Sequence, residues 1–126
     1  PAARAWLRGR CRDGTHLNGG TPFRARVAAC VDAGVLAAFG VNCTPPRFIT
    51  ELISDIRTQT DLPVAVYPNS GEAYDAVSKS WSGATEATWG DAAAEWVAAG
   101  ARLVGGCCRV TAADISGVRR RVVSLE

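Results

Sequence analysis

The 126-residue sequence has no methionine, one histidine, one lysine and no apolar run approaching the roughly 18 to 20 residues that span a bilayer. Nor do its first 30 residues contain the apolar block of a secretion signal, so a cytoplasmic location is expected and a membrane association is not. His16 lies in the loop Gly14 to Gly20, where surface exposure or a turn hydrogen bond is expected instead of metal binding or proton transfer. Thirteen arginines and Lys79 stand against twelve acids, and the only basic run is Arg119, Arg120 and Arg121. That run reads as a solvated helix end complementing the helix dipole, so no nucleic-acid partner is expected. Five cysteines are an odd number at irregular spacing, which excludes a tidy disulfide framework. In a reducing compartment such cysteines point to metal binding or catalysis. The missing methionine also means that Pro1 is not an intact start, which fits a processed or a shortened chain.

What is present is ordinary globular composition, 48% apolar and 21% charged, without linker or low-complexity segments. Residues 1–126 therefore read as a single domain. Four apolar runs predict strands: 5–11, 35–43, 62–68 and 101–107. Between and after them, 22–34, 46–60, 88–100 and 111–122 predict helices. The clearest is 46–60, which opens on Pro46 and repeats Ile49, Leu52, Ile53 and Ile56 at three- and four-residue steps. Gly34 and Gly100 supply stops, and Thr111 with Asp114 has capping-box spacing. Strands alternating with helices predict an α/β fold with four parallel strands, half of a (β/α)8 barrel. Four such strands leave two unpaired edges and a bare inner face, so the expected partner is a missing barrel half or a second copy.

In parallel barrels, reacting groups lie at the C-terminal ends of strands. Cys43 ends the second run and Cys107 and Cys108 end the fourth, so the three are expected on one rim. Three thiolates with an open fourth position suit a zinc ion that binds another thiol and deprotonates it. Adjacent strand residues point to opposite sides, so aiming both sulfurs at one ion calls on the turn freedom of Gly105 and Gly106. Cysteine is also a common core residue, and the residues by themselves leave a Cys43, Cys107, Cys108 site evenly balanced against packing. Cys30, on its helical stripe, is expected to pack, as is Cys11. A redox role for the vicinal pair is the weaker reading, since adjacent cysteines close a strained ring and no Cys-X-X-Cys motif is present.

Three stretches, "GVNCTPP" (40–46), "VYPNSGEAYD" (66–75) and "GGCCRVTAADI" (105–115), together resemble the homocysteine S-methyltransferase family, in the branch using S-methylmethionine or S-adenosylmethionine. "CRDGTHL" (11–17) and Trp81 add to the likeness. The resemblance implies an eight-stranded α/β barrel with zinc held by Cys43, Cys107 and Cys108. Homocysteine would occupy the open position as a thiolate and attack the sulfonium methyl group, giving methionine. It further implies a substrate-binding set, Asn42, Asn69, Ser70 and Glu72. Arg109, next to the cysteine pair, reads either as a partner for the substrate carboxylate or as a solvent-facing side chain. The homocysteine and the sulfonium donor are the expected small-molecule partners. Departures are "RGR" (8–10) in the first strand, Val110 where the family commonly has Thr, a shorter segment between Trp81 and Trp96, and the absence of the family's N-terminal half. A non-catalytic zinc-binding half barrel is therefore the alternative.

Overall fold

Strand and helix boundaries follow the apolar periodicity closely in the computed structural model, which describes residues 4–125. In chain order the elements are β1 (Ala5–Gly9), α1 (Phe23–Asp32), β2 (Leu36–Asn42), a 3-10 turn (Pro46–Phe48) running into α2 (Ile49–Arg57), β3 (Val64–Tyr67), β4 (Ala73–Asp75), β5 (Ser80–Ser82), α3 (Trp89–Ala99), β6 (Ala101–Val104) and α4 (Ala112–Val123). β1, β2, β3 and β6 form one parallel sheet in the order β1-β2-β3-β6. This is the expected half-barrel architecture, with each crossover helix returning the chain to the start of the next strand.

One face of the sheet is fully covered. Phe39, Val41, Val64 and Val66 meet Ile49, Leu52, Ile53 and Ile56 of α2, Phe23 and Val27 of α1, and Trp96 of α3 in a continuous core. The four isoleucine and leucine positions of α2 are all buried to 0% exposure, as their spacing requires. On α1, Cys30 and Val31 pack partly buried against the same core.

The other face is open. Trp6 is 60% and Leu103 44% exposed, and between them Arg8, Gly40, Ala65 and Tyr67 line a shallow groove of about 240 Å³. A Cβ on Gly40 would stand 2.5 Å from the carbonyl oxygen of Ala65, so only glycine lets β2 and β3 approach there. Arg8 of "RGR" is exposed on this open face, with its guanidinium 6.0 Å from the Tyr67 ring centroid. No described helix is long and apolar enough to cross a membrane.

Two local features differ from expectation. The helix expected over 46–60 begins as a 3-10 turn because Pro45 and Pro46 cannot donate to a preceding turn, and its α part ends at Arg57. The connection after β3 contains an antiparallel hairpin, β4 with β5, that periodicity over so few residues could not announce. The capping box of α4 is present as spaced: Asp114 N–H donates to Thr111 Oγ1, and Thr111 N–H donates to Asp114 Oδ2 at 2.8 Å. Arg120 and Arg121 occupy its last turn.

Candidate metal centre

β2 delivers Cys43 and β6 delivers Cys107 and Cys108 to the same rim, with the loop after β3 wedged between them. That loop is hydrogen-bonded to both sides. Cys43 N–H donates to Tyr67 O at 3.0 Å and Asn69 N–H to Thr44 O at 3.2 Å; Cys107 N–H donates to Pro68 O at 2.8 Å and Ser70 N–H to Cys108 O at 3.1 Å. Two strand ends separated by a third are thus held at fixed spacing by backbone bonds alone.

The sulfurs converge. Cys43 Sγ is 3.4 Å from Cys108 Sγ, Cys107 Sγ is 3.9 Å from Cys108 Sγ, and all three lie within 4.8 Å of one another. Tetrahedral zinc with Zn–S bonds of about 2.3 Å separates its sulfurs by roughly 3.8 Å, so the donor set fits that ion. All three cysteines are free thiols, Cys43 buried, Cys107 half-buried and Cys108 exposed. Burial pushes the Cys43 thiol up, but hydrogen bonds with Cys107 and Cys108, the Cys108 backbone and the charge of Arg10 outweigh it and leave Cys43 below its ordinary value. Cys107 goes the other way, to about 11, through burial and its hydrogen bond to Cys43. The hydrogen bonds from its neighbours thereby favour the ionised form of Cys43 over that of Cys107.

How the vicinal pair turns both sulfurs inward differs from the expected use of the glycines. Neither Gly105 nor Gly106 has a positive φ; Arg109 (φ 67°), after the pair, and Cys43 (φ 46°), across from it, are left-handed instead. Gly106 is needed for space, since a Cβ there would lie 2.4 Å from Val110 Cγ1, while Val110 N–H donates to Cys107 O and closes the turn. A left-handed non-glycine residue costs of order 1 to 3 kcal/mol and persists where its surroundings over-determine it. At Cys43 they do, because its N–H is bonded to Tyr67 and its carbonyl accepts from Asn69 Nδ2 at 3.2 Å.

The residues of the expected substrate set occupy distinct places. Asn69 is 4% exposed, donating to Cys43 O and accepting from Gly71 N–H at 2.9 Å. Ser70, 1% exposed, donates from Oγ to Glu72 Oε2 at 2.7 Å. Glu72 and Arg109 are joined to each other, by Nε–Oε2 at 3.2 Å and Nη2–Oε1 at 3.1 Å. The Arg109 and Ser70 hydrogen bonds hold the Glu72 carboxyl below its ordinary range. Asn42 ends β2 half-buried, its carbonyl accepting from Thr44 Oγ1 at 3.0 Å. Cys11 is outside the cluster, 2% exposed and pushed up to about 12 by burial. His16 takes a turn role, its N–H donating to Asp13 Oδ1.

Thr44 is a site residue that sequence reasoning missed. It is fully buried, its hydroxyl accepts from Cys11 N–H at 2.9 Å and donates to Asn42 O, and its carbonyl accepts from Asn69. Its side chain therefore ties the ends of β1 and β2 beside Cys43, and its backbone carbonyl ties in the loop after β3. Nothing in a lone threonine between Cys43 and Pro45 announces this.

Replacing Asn69 with alanine leaves the Cys43 carbonyl and the Gly71 N–H without their side-chain partner. Metal retention should weaken about 10-fold or more, as for other residues that orient ligands, with a stability loss of about 1 to 3 kcal/mol. Chelator competition and urea unfolding measure the two separately; unchanged retention would exclude Asn69 from ligand positioning.

A parallel half barrel carrying three converging thiols at its strand-end rim defines an α/β protein whose cysteine cluster could hold a metal ion. Sequence and structure comparisons specify the family. A family model described as homocysteine S-methyltransferase matches residues 1–122. The homocysteine S-methyltransferase of Escherichia coli strain K12 is 46% identical over 123 residues, 96% of this chain and 40% of that protein. The homocysteine S-methyltransferase YbgG of Bacillus subtilis strain 168 is 39% identical over 127 residues, 100% of this chain and 40% of that protein. The crystal structure of the E. coli homocysteine methyltransferase MmuM in its metallated form superposes with a TM-score of 0.73 at 38% identity, covering 94% of this chain and 36% of that one. The chain belongs to the homocysteine S-methyltransferase family, and it spans about 40% of the length of these curated relatives.

Proposed function

We propose that this chain is the zinc-binding half of a cytoplasmic homocysteine S-methyltransferase, which moves a methyl group from S-methylmethionine or S-adenosylmethionine to the sulfur of homocysteine and forms methionine. The observation that carries this reading is the convergence of the Cys43, Cys107 and Cys108 sulfurs within 4.8 Å, in a chain of that family. Those three side chains would hold the ion. The chemistry a bound zinc supplies is an open Lewis-acid position that favours the ionised form of a thiol.

The chain's own residues prepare that position. Thr44 and Asn69 keep Cys43 in its left-handed conformation, and the turn closed by Val110 keeps Cys107 and Cys108 facing it. Asn42, Asn69, Ser70, Glu72 and Arg109 form the polar wall for an amino-acid substrate. Asn69 and Ser70 act in it by positioning, being buried and bonded to Cys43 and Glu72. Arg109, half-exposed and oriented by Glu72, offers guanidinium N–H groups to a carboxylate.

A second reading is a metal-binding half barrel without catalysis. It requires only the three converging thiols, which the four-stranded sheet positions by itself. Metal analysis of the reduced chain, combined with a methyl-transfer assay alone and with a complementing N-terminal half, separates the two. About one zinc per chain, lost in Cys108→Ser, with transfer on complementation supports the enzyme. Zinc without transfer in either assay supports the inert half barrel. A folded, reduced and metal-supplied chain that takes up no zinc sinks both.

A further inference from the structure

The Glu72 carboxylate of the expected substrate-binding set is already paired with Arg109 by a two-point bond and accepts a third bond from Ser70. A cation arriving at this rim must find its partner elsewhere. Immediately after Glu72 the chain enters the β4–β5 hairpin, whose register sets Tyr74 opposite Trp81. Their ring centroids are 5.1 Å apart at an interplanar angle of 47°. Tyr74 is 46% exposed, Trp81 is half-buried, and neither belongs to the hydrophobic core.

Glu72 stands immediately before β4 and two residues before Tyr74, and its carboxylate is bound to Arg109, the residue following Cys108. The hairpin that carries the aromatic pair therefore starts at the cysteine rim. The hairpin tip is braced, with Asp75 Oδ1 accepting from Val77 N–H at 2.8 Å and the Ser78 and Ser80 hydroxyls 2.7 Å apart. A braced, partly solvated pair of π-faces attracts a soft cation without carrying charge of its own. Full carboxylates would compete with the metal ligands for Zn²⁺, whereas aromatic faces do not.

We propose that Tyr74 and Trp81 form the subsite for the sulfonium group of the methyl donor, selecting the charged sulfur over a neutral thioether by cation–π attraction. This rests on the methyltransferase reading above, since it supplies that site with its cationic substrate.

The test uses the 126-residue chain loaded with zinc, titrated with S-methylmethionine, with S-adenosylmethionine and with methionine, the neutral thioether that lacks the extra methyl. Binding is followed by the Trp81 indole N–H resonance, assigned by its absence from Trp81→Phe. Both sulfonium compounds should shift this resonance while methionine leaves it in place. By isothermal titration calorimetry, which needs no Trp81 signal, Tyr74→Leu and Trp81→Leu should each weaken sulfonium binding about 2- to 30-fold at unchanged zinc content. Trp81→Phe, which keeps a π-face, should recover most of the affinity. Equal responses to S-methylmethionine and methionine, no response to either, or leucine variants that bind like the parent chain would overturn the subsite. So would leucine variants that lose both ligands equally, which is the mark of a merely structural hairpin. If any of these occurs with one zinc bound, the subsite alone falls; if zinc is also absent, the methyltransferase reading falls with it.

Discussion

Cys43→Ser should reduce the metal content of the purified chain from about one ion to nearly none, with a fall in apparent affinity of more than about 100-fold. A serine hydroxyl is not ionised near neutral pH and is a poor match for a site otherwise made of thiolates. The remaining pair, Cys107 and Cys108, is adjacent in sequence and supplies two ligands only. Cys43 is also the thiol whose pKa its hydrogen-bonding neighbours hold below its ordinary value. Cys30→Ser and Cys11→Ser serve as controls, because Cys30 lies on α1 and Cys11 lies outside the cluster. Both should retain metal like the parent chain. Elemental analysis after dialysis against a weak chelator reads all three variants. Retention of a full equivalent by Cys43→Ser would mean that the ion is held by another set of groups.

Trp96→Ala should be the most damaging single truncation of the fold, at about 3 to 5 kcal/mol. Trp96 is 2% exposed, meets Trp89 edge-on at 5.7 Å and lies on α3, the helix that contacts α2, α4 and β6. Its removal opens a cavity where three elements meet, and a domain of this size has only about 5 to 15 kcal/mol of stability in total. The urea midpoint should fall by more than about 1 M. Val77→Ser, at a position 94% exposed on the hairpin tip, should stay within about 0.5 kcal/mol. A midpoint for Trp96→Ala close to that of the parent chain would show that α3 is not seated on the core as described.

The legibility of this protein varied with how far apart in sequence the cooperating residues are. The repeat of Ile49, Leu52, Ile53 and Ile56 reports a buried helix face directly, because the period of the helix and the period of the apolar residues are the same physical fact. The four apolar runs identified the parallel strands for a similar reason, since strands covered on a face need continuous apolar side chains. By contrast, β4 and β5 have only three residues each, too short for any period to emerge. The turn at Cys107 and Cys108 was attributed to the flexibility of the two glycines, and it is made instead by Arg109 in the left-handed region and by Gly106 yielding space to Val110. Contact between Gly106 and Val110 is a tertiary property that no spacing rule contains.

By itself, the sequence determined the order of the four parallel strands and four helices, the position of Cys43, Cys107 and Cys108 at strand ends, and a family resemblance that the comparisons bear out. Only the tertiary structure decided that those three sulfurs meet within 4.8 Å, that Glu72 is paired with Arg109, and that Thr44 and Asn69 hold the cysteine loop from behind. The reason is range. Secondary structure is written in residues three or four apart, whereas a site joining residues 43 and 108 depends on backbone hydrogen bonds through a third strand, formed only when all three strands are side by side.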